Sequence, residues 1–426
     1  MRHRAIAVGT AALLAATALG GCGSPDDGTV RLTYWAWAPG MAEVVELWNE
    51  ANPDVQITVK KQASGDELVT KTVTAAQAGT APDLVQAEYQ ALPTLASNNV
   101  TADIADEVAG VEDAFTPAVW QQVTLGTDAV YALPQDSGPL LLFYRADLFA
   151  ELGLDVPGTW DEFAETAREL REVDPDRTLT TFSANDAGLF AGLAQQAGAQ
   201  WWTTETDRWR VAIDDEAGRR VSAFWEELVA EELVDNQPMY TPAWNQALNE
   251  GRQIAWISGV WAPGTLATAA PDTEGAWAAA PLPQWEAGAN VTGSWGGSTT
   301  AVTTDSDHRA EAAEFAVWLN TDPEALTALV QVCGIYPAAS AAQSGGALAE
   351  PPPFFAGQPD FYETVAEVAE GAAPAAWGPN VTVAYSAFNN AFGAAAGRRA
   401  GFEEALATMQ QTTFEDMDRL GFEVVQ

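Results

Sequence analysis

Basic residues are scarce in this 426-residue chain: 19 lysines and arginines face 59 aspartates and glutamates, a formal charge of −40. Phosphate-backbone binding needs clustered Lys and Arg, so nucleic acid is excluded as a partner. The same balance disfavours electrostatic capture of strongly anionic solutes, and it suits a solvated surface that keeps a secreted protein soluble. Histidine is nearly missing, with only His3 and His308. One histidine beyond the amino-terminal segment leaves no zinc cluster and no Ser-His-Asp or Cys-His arrangement to build. No Gly-x-Ser-x-Gly elbow, P-loop or Rossmann fingerprint occurs, and Asp174-Pro175-Asp176 lacks the remaining spacing of a calcium loop. No metal and no cofactor are therefore expected. Close carboxylate pairs, the signature of glycosidases, arise everywhere by chance among 59 acids. The expectation is a protein that binds and performs no chemistry, with a secreted carbohydrate-active enzyme kept as an alternative.

Long apolar runs are also missing. The stretch 5–19 follows Met1-Arg2-His3-Arg4 and ends at Gly20-Gly21-Cys22. It is too short for a permanent span, which needs about 20 residues. A positive start, a short apolar middle and a small-residue cut site make a secretory signal over 1–21. Leu19-Gly20-Gly21-Cys22 resembles the bacterial lipobox, which implies a lipidated Cys22 at the new amino terminus, with 22–28 as a flexible tether. With Cys22 acylated, Cys333 stands alone, so no disulfide framework is available and Cys333 reads as a small buried apolar residue. Stability must come from a large core, and the chain is long enough for two domains.

Strands and helices alternate along the rest. Val30-Arg31-Leu32-Thr33-Tyr34-Trp35 reads as a first strand, and Pro39 opens a helix with Met41, Val44, Val45 and Trp48 on one stripe. Val55-Gln56-Ile57-Thr58-Val59 alternates as a second strand. Ser64-Gly65-Asp66-Glu67 and Thr159-Trp160-Asp161-Glu162 are capping-box patterns that start helices. Short strands follow at 83–87 and 140–144, then 253–257 and 299–303. Helices are expected over 214–230, 310–319 and 322–332, the last capped by Asp322 with Pro323 in its first turn. The tail, 354–420, reads as interrupted helix, and 342–353 as an open loop. The β-α-β-α order predicts an α/β fold with mainly parallel sheets flanked by helices.

The order of these segments resembles the extracellular solute-binding proteins that serve ABC sugar importers. The match is carried by Leu32-Thr33-Tyr34-Trp35-Ala36-Trp37, Asn52-Pro53-Asp54-Val55, Ala78-Gly79-Thr80-Ala81-Pro82-Asp83-Leu84-Val85 and Tyr131-Ala132-Leu133-Pro134. It continues through Leu142-Phe143-Tyr144-Arg145-Ala146-Asp147-Leu148-Phe149, Pro157-Gly158-Thr159-Trp160-Asp161-Glu162-Phe163, Gly251-Arg252-Gln253-Ile254-Ala255-Trp256, Gly296-Gly297-Ser298 and Gly334-Ile335-Tyr336-Pro337-Ala338. The resemblance implies a two-lobe periplasmic-binding-protein-like fold that closes on its ligand about a hinge of two or three crossing segments. By that analogy lobe one holds 29–135 plus 296–336, and lobe two 136–295 plus 337–426. It implies a monomer that captures a sugar, an oligosaccharide by the number of loop tryptophans, and delivers it to transmembrane permease subunits at the extracellular membrane face. Glycerophosphodiesters or another small polar solute remain the alternative ligands.

Sugars need flat aromatic faces for their C–H patches and polar groups for their hydroxyls. Seventeen tryptophans exceed what the core requires. Trp48, Trp120, Trp160, Trp225 and Trp318 lie on helical stripes and are assigned to cores, and Trp209 and Trp285 to structural or surface roles. Of Trp35 and Trp37, alternation is taken to send one inward and one outward, with Trp37 reaching the ligand. Trp202, Trp244, Trp261, Trp295 and Trp377 sit in loops or near strand ends and are candidate stacking platforms. Gly259, beside Trp261, and Gly296-Gly297 would let backbone come close. Tyr89, Asp136 and Tyr336 complete the candidates, the two tyrosines by family resemblance and Asp136 as a carboxylate able to accept two hydroxyls at a lobe crossing.

Overall fold

A computed structural model describes residues 28–205, 208–343 and 346–426. The signal, Cys22 and most of the tether lie outside these residues. Among the described residues there are three sheets, of which a five-stranded and a three-stranded one, each clothed in helices, centre the two lobes. Strands β1 (Val30–Ala36), β2 (Val55–Lys61), β3 (Leu84–Glu88) and β4 (Leu133–Pro134) join a late strand in a five-stranded sheet. Strand β5 (Leu140–Arg145) anchors the second lobe, and β6 (Trp202–Glu205) with β7 (Arg208–Val211) form a hairpin. Next come β8 (Ala255–Gly259), β9 (Trp277–Pro281), β10 (Ser298–Val302) and β11 (Val424–Val425).

In lobe one, β1 runs parallel to β2 and β3, while the returning β10 lies antiparallel between β3 and β4. Leu32, Tyr34 and Ala36 point into the core on alternate positions of β1, as a period of two requires. That period corrects one expectation. Trp35 and Trp37 are two residues apart and share a phase, so neither is sent opposite to the other; both are half-buried. The first core also buries Trp48 and Phe315, whose rings meet edge to face at 5.5 Å.

Lobe two departs from the expected mainly parallel sheet. Here β5 lies between β8 and β9 and is antiparallel to both. Leu140, Leu141, Leu142 and Phe143 are each 0 % exposed. A strand covered on both faces by helices gives the same unbroken apolar run whichever way its neighbours point, so the residues carry no sign of direction. At roughly 1.5–3 kcal/mol for each fully buried large apolar side chain, this run is a major part of the second core. The helices Val381–Arg398 and Phe402–Arg419 pack on one another, and Phe402–Arg419 also packs on Glu216–Ala230.

Of the helix starts expected from capping residues at Ser64, Thr159 and Asp322, the last two form. Thr159 and Glu162 cap each other reciprocally at Trp160–Val173, and Asp322 accepts from the Glu324 and Ala325 amides. The helix Asp66–Gln77 begins instead after Gly65 at φ 67°, and its N-cap makes no side-chain hydrogen bond, so Ser64 is no cap. The expected helix over 322–332 is α-helical only over Pro323–Ala328 and widens to a π-turn at Leu329–Cys333. Cys333 is a free, buried thiol whose pKa burial pushes up to about 12, consistent with an apolar role.

Three segments run side by side where the two cores meet. Ser137 N donates to Tyr336 O at 2.9 Å, Ala338 N to Gln135 O at 3.0 Å, and Trp295 N to Gly138 O at 2.8 Å. Gln135 N also reaches Ser298 O at 2.9 Å.

Candidate functional site

Between the lobes, over those three segments, lies a cleft of about 1570 Å³. Its second-lobe wall is aromatic. β8 ends at Gly259, the chain turns, and Trp261 precedes the helix Ala262–Ala269. Trp261 Nε1 donates to Trp295 O at 3.0 Å, and the two rings stand edge to face at 4.9 Å. Trp256 and Trp244 back them, and Tyr240 lies 5.4 Å from Trp244 and 6.4 Å from Trp295. The mutual hydrogen bond and ring contacts hold Trp261 and Trp295 in fixed orientation before any ligand arrives.

Small residues make this packing feasible. A Cβ on Gly259 would lie 2.4 Å from Trp261 Nε1 and 2.9 Å from Trp295 O. A Cβ on Gly188 would lie 2.8 Å from Trp295 Nε1. Gly259 does not line the cleft itself; it makes room for the Trp261 ring and the Trp295 backbone, which do.

The floor is built from the crossings. Asp136 Oδ1 accepts from both the amide and the hydroxyl of Ser298, the latter at 2.6 Å. Burial raises the Asp136 pKa to about 6 although both Ser298 donors pull it down. One carboxylate oxygen is thus spent on holding β10 to the crossing. Gly296 and Gly297 line the cleft at φ 74° and 85°, a region only glycine adopts freely. A Cβ on Gly297 would meet the Tyr89 ring at 3.0 Å. Tyr89 itself lies beneath that glycine, 4 % exposed, off the cleft lining, its hydroxyl without a partner. Its neighbours Glu88 and Gln90 face the cleft instead.

The first-lobe wall presents Trp37, whose amide, with that of Ala38, donates to Gln86 Oε1 at 3.0 and 3.1 Å. Tyr336 lines the cleft with only 2 % exposed. Trp244 touches it as a fully buried ring. Trp202 and Trp377 do not line it. Trp202 is 0 % exposed and packs so tightly on Gly378 that a Cβ there would sit 2.2 Å from its indole nitrogen. Trp377 is half-buried against both cores. Trp202 opens strand β6 and pairs with Val211, so it is not in the loop its neighbours suggested, and local composition does not say which way such a ring turns.

Sequence reasoning missed several lining residues. Asn185 and Asp186 precede the helix Ala187–Gln196, where Asp186 accepts from Leu189 N at 3.2 Å. Burial raises the Asp186 carboxyl to about 7. Asp186 before an apolar run was a capping signal available in the residues. Tyr240, 48 % exposed, sits at φ 62°, and no glycine or asparagine marked that turn. Tyr362, Tyr385 and Asn389 come from the tail helices.

The model of one family, bacterial extracellular solute-binding proteins, matches residues 34–326. The arabinooligosaccharide-binding protein of Halalkalibacterium halodurans is 25 % identical over 329 residues, 74 % of this chain and 73 % of that one. The lactose-binding protein of Rhizobium radiobacter is 28 % identical over 345 residues, 77 % and 79 % of the two chains. Among solved structures, the galacto-N-biose/lacto-N-biose I-binding protein of an ABC transporter from Bifidobacterium longum superposes with a TM-score of 0.85 at 26 % identity. That match covers 94 % of this chain and 100 % of the other.

Proposed function

Because this chain belongs to the bacterial extracellular solute-binding protein family, we propose that it captures an oligosaccharide in the interlobe cleft and delivers it to the permease of an ABC importer. The observation that carries this reading is the pinned aromatic wall of Tyr240, Trp261 and Trp295 facing Trp37 across a cleft of about 1570 Å³. Aromatic faces held rigid lose little entropy when a sugar ring stacks on them, and the cleft exceeds the roughly 300–1,000 Å³ of pockets for single small ligands. The rest of the site is polar and short-ranged: Asp136, Asp186, Glu88 and the backbone of Gly296 and Gly297.

The lobes exchange chain at 135/136, 295/296 and 336/337 in this proposal, and closure about those crossings signals loading. Anchoring belongs to the same reading. Cys22 would carry lipid and hold the monomer at the extracellular membrane face, and Cys22→Ala would release it to the medium or leave the signal uncut; membrane retention with unchanged mass contradicts this. The test of the binding reading is a thermal-shift screen against mono-, di- and oligosaccharides. A ligand bound only by the folded state raises the melting temperature, by an amount that grows with concentration over Kd. Stabilisation by an oligosaccharide is the expected result, and stabilisation by a glycerophosphodiester alone would contradict it.

A further inference from the structure

Among the described residues that line the cleft, none is Lys, Arg or His, while five are Asp or Glu. Glu88 comes from lobe one, Asp136 from the crossings, Asp186 from lobe two, and the exposed Glu274 and Glu350 complete the set. Arginines elsewhere are drawn into surface pairs, such as Arg168 with Glu227 and Glu231, and Arg177 with Asp174. Acidic residues grouped this way say little alone. The hydrogen-bond polarity of the same wall is the independent observation.

Gln90 lines the cleft with 7 % exposed. Its amide donates to Glu88 Oε2 at 2.8 Å, and its buried carbonyl oxygen has no donor. An unmatched buried acceptor on a ligand-facing wall calls for a donor from the ligand. One helix start at the cleft that could welcome an anion, Ala187–Gln196, is already filled by the Asp186 carboxylate. Ionisation of the Tyr240 phenol is opposed first by burial and then by Asp186 and Glu88, from opposite lobes, so two carboxylates lie within electrostatic reach of this ring. A ring face beside carboxylates attracts ammonium groups. The helix Ala262–Ala269 does open without a side-chain cap, and its Pro263, Gly264 and Thr265 line the cleft. Its positive end amounts to about half a charge, however, which does not offset several carboxylates.

We propose that the cleft selects its saccharide by charge and hydrogen-bond polarity: it takes neutral glycans, takes at least as well those bearing an ammonium in place of one hydroxyl, and rejects those bearing a carboxylate. This rests on the sugar-binding reading. An ionised carboxylate only accepts hydrogen bonds, so it would face acceptors and like charge together, whereas hydroxyls and ammonium groups donate.

The test is calorimetric titration at pH 8, where Asp136 and Asp186 are ionised by their pKa values of about 6 and about 7. The probes are lactose, β-1,6-galactobiose, arabinobiose and cellobiose, each beside a derivative with one hydroxymethyl oxidised to carboxylate and another with one hydroxyl replaced by an amine. The expected result is a neutral parent that binds, an amine that binds as tightly or more tightly, and a carboxylate weaker by about tenfold or more. A carboxylate weaker by less than tenfold, or an amine weaker than the parent, overturns the proposal. Glu88→Gln and Asp186→Asn should each shrink the parent-to-carboxylate ratio by roughly two- to fivefold. Asparagine keeps the helix-capping acceptor, and a ratio taken within one variant cancels any general loss of affinity. An unchanged ratio in both variants removes the two carboxylates from the selection. If none of the neutral sugars binds, the sugar reading fails and this inference falls with it.

Discussion

Trp261 and Trp295 look alike in their glycine-rich surroundings, yet they should respond differently to truncation. Trp295 is 8 % exposed and belongs to the second core, whereas Trp261 is only partly buried against it. Trp295→Ala therefore opens a cavity and should cost about 3–5 kcal/mol of stability in the empty protein as well as weakening sugar binding. Trp261→Ala should weaken binding by about 1–3 kcal/mol while moving the melting temperature far less. Trp318→Ala, half-buried against Trp48 and Phe315, should lower stability and leave affinity alone. Melting temperature and affinity measured on all three check this, and a stability loss in Trp261→Ala equal to that of Trp295→Ala with affinity kept would contradict it. The two rings were legible because glycines flank them. Trp202 and Tyr240 were not: burial of one and the left-handed backbone of the other depend on contacts made far along the chain. Apart from Asp136, the cleft carboxylates were hidden by the abundance of acids in the chain.

Elements carry a pH signature and a packing constraint. Asp136 and Asp186 both have carboxyls raised from the ordinary 3.8, to about 6 and about 7, first by burial. Between pH 4 and 7 the folded state then holds more protons than the unfolded chain, so these two groups make stability fall as pH rises. Asp147, Asp174 and Glu250 have lowered values and act in the opposite sense. The comparison that isolates the pair is wild type against Asp136→Asn/Asp186→Asn. The variant should gain on wild type steadily from pH 4 to pH 7 in chemical unfolding, and a constant difference would contradict the burial account. The packing constraint is at Gly259, the last residue of β8. Gly259→Ala places a Cβ against Trp261 Nε1 and the backbone Trp295 O, displacing the Trp261 ring and the carbonyl to which it is hydrogen-bonded. Affinity should drop by about tenfold or more, although this residue does not line the cleft, and an unchanged Kd would show that the rings tolerate the shift. Sequence patterns gave the helix starts at Thr159 and Asp322 because caps are local. The antiparallel pairing of β5 was not readable, because direction is set by distant partners.

At the scale of the whole molecule, the described residues join the two cores through three laced segments and through bridging contacts such as Trp377 and the Thr94 hydroxyl on Pro379 O. That construction separates stability, which each core supplies for itself, from motion, which the crossings allow. The α/β layering was legible from segment order, since helices and strands in this sequence can bury their apolar faces only by layering, and the two lobes were legible only through the family resemblance that this order carries. Closure follows if a saccharide touches both walls, because a ligand shifts a conformational equilibrium only by its differential affinity for the two forms. The measurement that tests this most directly is small-angle X-ray scattering of the protein without and with a saturating oligosaccharide taken from the thermal-shift screen. The account predicts a smaller radius of gyration in the loaded protein. An unchanged radius with the site fully occupied would contradict capture between closing lobes.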